Sequence, residues 1–160
     1  MTQMPGTAAA SGYAPVAITQ FSIFLENRVG KMLEIVQAFE DAMCCICALT
    51  VLDSSDHAVI RLIANDAKAA RRILVKQALP FMDTSVIVVS LDSHHTLSRM
   101  SQYLLGAEIS IRFCYPLLGW DNARGSAIAL AVDDLTLASQ ILIRKEFKLL
   151  TEADLPKHGE

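Results

Sequence analysis

Apolar and polar residues alternate with two different periods along this chain, and each period predicts a different element. In the segment ITQFSIFL, residues 18–25, polar Gln20 and Ser22 alternate with apolar Phe21 and Ile23. A period of two predicts a strand with one buried face. The next apolar residues recur three or four positions apart, at Met32, Val36, Phe39 and Met43. This longer spacing predicts a helix with one apolar stripe.

The rest of the first half predicts a hairpin, a second helix and a short closing strand. Residues 46–53 and 57–65 are rich in β-branched and apolar side chains, and the turn-forming DSSD joins them. Asp66 is predicted to cap a helix that carries Ala70, Ile73 and Leu74 on its buried face. The segment LPFM, residues 79–82, is predicted to close the unit as a strand.

The second half repeats this order of elements. Laying residues 59–74 over residues 127–142 matches Asp66 with Asp134, and the earlier parts match at a smaller offset, as Phe39 does with Leu104. The longer turn GWDNARG absorbs the difference, and insertions tend to fall in loops. The corresponding predicted segments are SVIVVSL, TLSRMSQYLL, ISIRFCYPLL, SAIALAVD with a helix capped by Asp134, and FKLL.

Two βαββαβ units of this kind predict an α+β fold of two ferredoxin-like repeats, with antiparallel sheets and helices on one face. We expect a flexible N-terminal tail at residues 1–16, the first repeat at 17–84 and the second at 85–155. Residues 156–160 are expected to form a frayed C-terminus.

The repeat, the opening LENRVGKMLEIVQAF, the CCICAL entry to the second strand and the LDSSDHAVIRLIAND hairpin together resemble an ACT domain. From about Ile18 to Leu155 the chain is similar to free-standing tandem ACT proteins. The resemblance implies a regulatory module that binds an amino acid at an interface between ACT units.

The same resemblance implies a ligand-binding loop. Gly30 stands at the glycine of the family's loop and Asn27 at its polar position, with Arg28 between Asn27 and Val29. Val29 replaces the commonest residue there, proline. Where the family often has asparagine at the entry to strand two, this chain has Cys45, and the second half has Ser110. These departures weaken the expected side-chain contacts.

The residues alone leave two interpretations of Gly30 open. The unpaired N–H groups of a helix start favour an anion, and the Asn27 amide can both donate and accept, which suits a zwitterion. Alternatively, Asn27 caps the helix and Gly30 eases a turn. The second half makes the equivalent turn with His95 in place of glycine. That asymmetry favours a ligand beside Gly30 of the first half.

Composition excludes several classes of function. Of 160 residues, 52% are hydrophobic and 19% charged, with a net charge of −3. A folded protein follows, and nucleic acid is not the expected partner, because phosphate binding needs a concentrated basic face. No apolar run spans a membrane and no basic-then-apolar leader is present, which predicts a cytoplasmic protein.

The cysteines and histidines predict no metal site. Three cysteines fall in CCIC and Cys114 stands alone, without the paired spacing of zinc ligands. Adjacent His94 and His95 are expected in a solvated loop, and the charges of ARR and IRK on solvated helix faces. Trp120 is expected either at the surface or over a repeat interface or ligand.

The predicted function is therefore a non-catalytic regulatory protein that binds a small molecule, most simply an amino acid, with no cofactor. A homodimer and a regulated partner protein are expected. The alternative is a dimerisation module without ligand, joined along sheet edges. The sequence contains neither a nucleophile–base pair nor a phosphate-binding loop, so its motifs do not suggest an enzyme.

Overall fold

The computed structural model describes residues 14–26, 28–120 and 125–157. Most of the predicted tail, Asn27, the centre of the GWDNARG turn and the last three residues lie outside this range. Within it the chain forms six strands and four α-helices. The strands are β1 (Ile18–Glu26), β2 (Ile46–Ser54), β3 (His57–Ala64), β4 (Phe81–Leu91), β5 (Ile111–Pro116) and β6 (Ser126–Val132). The helices are α1 (Lys31–Asp41), α2 (Ala67–Lys76), α3 (Leu97–Gly106) and α4 (Leu135–Arg144), and Glu152–Asp154 form a short 3-10 helix.

The chain forms two ferredoxin-like units, as the sequence predicts, and their strands join in one antiparallel sheet. Its strand order is β2-β3-β1-β4-β6-β5. The first unit contains β1, β2, β3, α1 and α2, and the second contains β5, β6, α3 and α4. Both units share β4, whose start pairs with β1 (Ile23 opposite Phe81) and whose end pairs with β6 (Leu91 opposite Ser126). The expected boundary between residues 84 and 85 therefore falls inside a continuous strand.

The two units pack sheet against sheet. One buried cluster contains residues from all six strands and no helix residue, for example Ile18, Ala48, Val88 and Ala129. Two other clusters join α1 and α2 to the first half of the sheet and α3 and α4 to the second half. The order of layers is therefore the helices of the first unit, its half of the sheet, the other half of the sheet, and the helices of the second unit. Both faces of β1 are buried at its start, where Gln20 and Phe21 are both fully buried, whereas Phe24 and Glu26 on one face of its end are exposed. The expected half-buried strand is therefore wrong for the first part of β1 only.

A polar contact crosses the interior between the units. Gln20 is fully buried, and its Oε1 accepts a hydrogen bond of 2.7 Å from the Tyr115 hydroxyl. Burial raises the pKa of Tyr115 strongly and outweighs the opposite influence of the nearby Arg61 cation. The Arg61 guanidinium lies 3.7 Å from the centre of the Phe113 ring. Arg61 and Phe113 belong to different units, so these contacts hold the two half-sheets together.

Local hydrogen bonds confirm the internal repeat atom by atom. The Cys45 N–H donates to the Asn65 side chain at 3.0 Å, and in the second unit the Ser110 N–H donates to Asp133 at the same distance. Asp66 caps α2 by accepting from the Ala69 N–H, as predicted. In the second unit Asp134 accepts from the Leu137 N–H of α4, and both bonds measure 2.9 Å. The same sequence signals therefore produce the same local geometry twice.

The predicted apolar stripe of α1 is wrong in part. Ile35 and Phe39 are the buried residues of this helix, whereas Met32 is 45% exposed and Met43, which follows the helix with φ 53°, is 72% exposed. Helical periodicity measures the spacing of apolar residues, but it does not decide which of two adjacent stripes faces the core. The predicted strand FKLL is reduced to a single bridge between Val89 and Leu149.

Candidate functional site

An apolar groove opens beside α1, where the first unit meets the second. Its cavity volume is about 330 Å³. One wall is the exposed side of α1 and the other is the start of β2, while the end of the groove is formed by Leu118 of the second unit. The lining residues are Met32, Val36, Phe39, Glu40, Cys44, Cys45, Ile46, Leu49 and Leu118.

The groove is held at the junction by a backbone hydrogen bond. The Leu118 N–H donates to the Cys47 carbonyl at 2.7 Å, which joins the segment after β5 to β2. Leu118 is itself 51% exposed. Trp120 nearby packs against the cluster between the two half-sheets. Of its two expected placements, the repeat interface is therefore the one observed.

The chemistry of the groove is that of a hydrophobic site with one charge. Among the lining residues that the structure describes, Glu40 is the single charged one. The Cys44 thiol faces the Asn65 carbonyl oxygen at 3.8 Å, and burial raises its pKa. Burial also raises the pKa of the neighbouring Cys47 to about 12. The thiols here are therefore neutral small apolar groups at ordinary pH, as the sequence suggests.

Gly30 lies at the exposed start of α1 in a left-handed conformation, with φ 90°. A side chain on most other residues would be strained by this backbone. A Cβ placed on Gly30 would nevertheless have no heavy atom within 4 Å. Helix geometry leaves the N–H groups of Met32 and Leu33 without acceptors in the helix, and among the described residues no side chain caps α1. Gly30 therefore serves the turn and also leaves open backbone beside it.

The other predicted loop residues are exposed around Gly30. Arg28 forms an ion pair of 2.5 Å with Glu26, and Val29 projects fully into solvent. Asn27, predicted to bind the ligand or to cap the helix, lies outside the described residues. The described residues of this loop, Arg28, Val29 and Gly30, are thus exposed to solvent.

The structure separates the predicted site residues within one chain. Gly30 precedes α1 and Cys45 follows it, so the length of this eleven-residue helix, about 16 Å, lies between them. Cys45 lines the apolar groove. Ser110 occupies the equivalent place in the second unit, bonded to Asp133. A small ligand therefore cannot contact both Gly30 and Cys45 of the same chain.

The equivalent loop of the second unit turns by a different mechanism. The Asp92 carboxylate accepts from the N–H groups of His94 and His95 at 2.7 and 2.6 Å, and Thr96 caps α3. These bonds, led by the one from the His95 N–H, lower the pKa of Asp92 to about 2. Hydrogen bonds to the Asp92 side chain thus stabilise this turn, whereas the turn of the first unit contains Gly30 in the left-handed conformation. The asymmetry between the loops consequently has a structural cause in the second unit, and the ligand beside Gly30 stays a prediction.

Sequence reasoning missed two features. The spacing of Met32 and Val36 predicts one apolar stripe on α1, but it does not indicate that they line a groove. The charges of IRK are exposed, as predicted, but the sequence does not indicate that Arg144 and Lys145 line a pocket with His94 and His95. Comparing the two repeats could have indicated this pocket, because Arg99 of the second unit stands at the position of Glu34 in the first, a reversal of charge.

Within the described ranges, no three His, Cys, Asp or Glu side chains are grouped as metal ligands. In the same part of the chain, every helix is too short or too polar to cross a membrane.

Residues 16–158 match the ACT domain pair family, so nearly the whole sequence is accounted for and the chain belongs to this family. A solved structure of protein BT0572 from Bacteroides thetaiotaomicron is similar, with a TM-score of 0.79 and 21% identity over 88% of this chain and 96% of that one. The ligand-free regulatory subunit of aspartate kinase from Thermus thermophilus has a TM-score of 0.51 and 10% identity over 81% and 92% of the two chains. At these identities the likeness establishes the fold. The curated proteins include no match.

Proposed function

We propose that this protein is a non-catalytic regulator that binds an amino acid in the apolar groove between its two ACT units. The observation that carries the proposal is the composition of the groove. Its walls come from the first unit and its end, Leu118, from the second. A ligand there touches both units, so its binding energy depends on how they are arranged.

The lining favours an amino acid with an apolar side chain. A cavity of about 330 Å³ with mostly apolar walls is within the usual range for small-molecule sites. The Glu40 carboxylate at its edge is suited to the ligand's ammonium group. The apolar side chain then replaces water against Val36 and Leu49, which is the main source of affinity.

A screen of the twenty amino acids by thermal shift tests this proposal. A ligand at one hundred times its Kd stabilises the folded protein by about 2.7 kcal/mol, which for a chain of this size raises Tm by about 5–10 °C. Leu118→Ser should reduce the shift, because it removes the contact from the second unit. Leu105→Ser, at an exposed leucine on α3, is the matched control. The proposal fails if no amino acid shifts Tm, or if both variants lose the shift equally.

The loop of Asn27, Arg28, Val29 and Gly30 is proposed as a second, polar contact surface. Since the length of α1, about 16 Å, separates Gly30 from Cys45 in one chain, a site that uses this loop with Cys45 needs two copies of the chain, and Ser110 is proposed as the equivalent residue of the second unit. We therefore propose a homodimer. Gly30→Trp should block such a site, whereas Gly30→Asn should keep the turn, because asparagine tolerates the left-handed conformation.

A ligand-free dimerisation module is a second candidate, and the exposed edge strand β2 favours it. Val51 and Leu52 of this strand are 46% and 41% exposed, and unpaired strand edges invite association. Val51→Lys should then shift the sedimentation coefficient to that of a monomer, while Met82→Lys, at an exposed residue of central strand β4, should not. Unchanged sedimentation in both variants would exclude the β2 edge as the interface.

We place this function in the cytoplasm, with a further protein receiving the signal. The four cysteines are free thiols, which is typical of a reducing compartment. A pull-down from cytoplasmic extract with and without the amino acid found in the thermal screen tests both points. A partner that is retained equally with and without ligand would contradict a regulatory role.

A further inference from the structure

A basic pocket lies in the second unit, between the loop that precedes α3 and the C-terminal end of α4. Its cavity volume is about 220 Å³. His94 and His95 come from the loop, Arg99 from α3, and Arg144 and Lys145 from the end of α4. Two segments that are distant in sequence, residues 94–99 and 144–145, therefore bring five nitrogen-bearing side chains to one place.

The positive charge in this pocket is largely uncompensated. Among the described residues, Arg99, Arg144 and Lys145 form no ion pair, and Glu146 is the one carboxylate in the lining. Within the lining, three permanent cations and one anion leave a net charge of about +2 before any histidine is protonated, and the Asp92 carboxylate beside His95 reduces the local charge to about +1. Cations that face a shared cavity repel each other, so an anion placed among them is strongly favoured.

The loop side of the pocket is held in position before any ligand arrives. Asp92 accepts from both histidine N–H groups and faces the Nδ1 atom of His95 at 3.1 Å. The His95 ring packs edge-on against Phe147, with ring centres 5.0 Å apart. Arg99 donates to the His94 carbonyl at 2.9 Å. A preorganised site loses little entropy on binding.

The first unit provides an internal comparison at the equivalent place. There the cavity is about 60 Å³, and Glu34 stands where the second unit has Arg99. Glu34 is paired with Lys31 at 2.7 Å, and Gln77 replaces Lys145. The fold therefore does not require a basic pocket at this position. The enlargement and the change of charge are properties of the second unit alone.

We propose that this pocket binds a phosphate group, either free phosphate or a small phosphate monoester. A phosphate dianion supplies three or four oxygens, which match guanidinium, ammonium and imidazole donors arriving from several directions. A singly charged carboxylate would satisfy fewer of them. The site is separate from the apolar groove, so its occupant is a second effector, chemically unlike the proposed amino acid.

Isothermal titration calorimetry with inorganic phosphate tests the site at constant ionic strength, with chloride as the reference anion. Arg144→Gln and Lys145→Gln should each weaken phosphate binding about tenfold, the effect of losing one charged hydrogen bond. Glu146→Gln should strengthen binding, because it removes the negative charge that lies in the described lining of the pocket. Lys76→Gln, at the equivalent residue of the first unit, and Glu108→Gln, at another exposed glutamate with positive φ, are the matched controls.

The inference is overturned if phosphate gives no more heat than chloride, or if Lys76→Gln weakens binding as much as Arg144→Gln. Circular dichroism of each variant establishes that it is folded. Glycerol 3-phosphate titrated in parallel distinguishes the two sources: tighter binding than phosphate indicates a monoester, and equal binding indicates the free ion. Arg144→Gln should leave any amino acid thermal shift unchanged, so the two proposals fail independently.

Discussion

The hydrogen bond between Tyr115 and Gln20 gives a direct test of the sheet-on-sheet packing. Both residues are buried and they belong to different units. Tyr115→Phe removes the hydroxyl and leaves the Gln20 oxygen buried, with no described donor in its place. An unsatisfied buried acceptor costs about 1–3 kcal/mol. At the centre of that range, about 2 kcal/mol, we expect Tm to fall by about 4–8 °C.

A double-mutant cycle separates the hydrogen bond from side-chain volume. Gln20→Leu alone leaves the Tyr115 hydroxyl unsatisfied and should destabilise by a similar amount. The double variant Gln20→Leu with Tyr115→Phe replaces both partners by apolar groups, so it should cost about 1–2 kcal/mol less than the sum of the single changes. Urea denaturation measures all four free energies of unfolding.

Tyr103→Phe is the matched control for this cycle. Tyr103 is partly exposed on α3, and its hydroxyl makes no hydrogen bond among the described residues. Its loss should change stability by less than about 0.5 kcal/mol. If Tyr115→Phe costs no more than Tyr103→Phe and the cycle is additive, the two units do not pack through this contact and the described interior is refuted.

Three further predictions concern backbone strain, pH and thiol reactivity. Gly125→Ala should destabilise by about 2–5 kcal/mol in urea denaturation, because φ is 95° and the new Cβ would lie 2.0 Å from the Leu91 carbonyl oxygen. Folding lowers the pKa of Asp92 from 3.8 to about 2, so the stability that its carboxylate contributes is complete above pH 4 and is lost toward pH 2. In an acid titration, the free energy of unfolding of Asp92→Ala should therefore fall less than that of wild type. At pH 8 iodoacetamide should modify exposed Cys114 and spare Cys47, as peptide mass spectrometry can show.

Each of these has a matched comparison. Gly119→Ala, also at positive φ but with open space around it, should cost only the backbone strain of about 1–2 kcal/mol. Equal losses at Gly119 and Gly125 would contradict the steric account. If the free energy of unfolding falls equally with decreasing pH in wild type and Asp92→Ala, the proposed contribution of that carboxylate is contradicted. Rapid alkylation of Cys47 in the folded protein would show that its thiol is not buried.

The order of elements could be predicted from the sequence because its signals are local. Asp66 and Asp134 each precede an apolar helix and each caps it, and the DSSD turn joins β2 to β3. The repeat reinforced every one of these assignments. Local chemistry of this kind is decided within a few residues, so distant contacts do not overturn it.

The packing of the units could not be predicted in the same way. Alternation in β1 indicates that a strand exists, but it does not reveal that Gln20 also faces a buried interior. The uninterrupted apolar run of residues 86–89 in β4 was a usable signal, since strands with both faces buried lose their alternation. It was assigned to the second repeat alone, which concealed the shared strand.

The candidate site was predicted only in part for a geometric reason. The resemblance assigns both Gly30 and Cys45 to a ligand at an interface between ACT units, but it does not say which units meet, and within one chain α1 lies between the two residues. The groove beside Cys45 depends on Leu118, which is more than seventy residues away in sequence. No local pattern reports which residues of the second unit meet the first.

The most direct test of amino acid binding in the groove is a nuclear magnetic resonance titration of isotope-labelled protein with a pool of the twenty amino acids. Binding in the groove predicts that the backbone amide signals of Met32, Cys45 and Leu118 shift and saturate together. Amides of the basic pocket, such as that of Lys145, should stay unchanged. If the three groove amides do not move at millimolar amino acid, the proposed regulatory site does not exist.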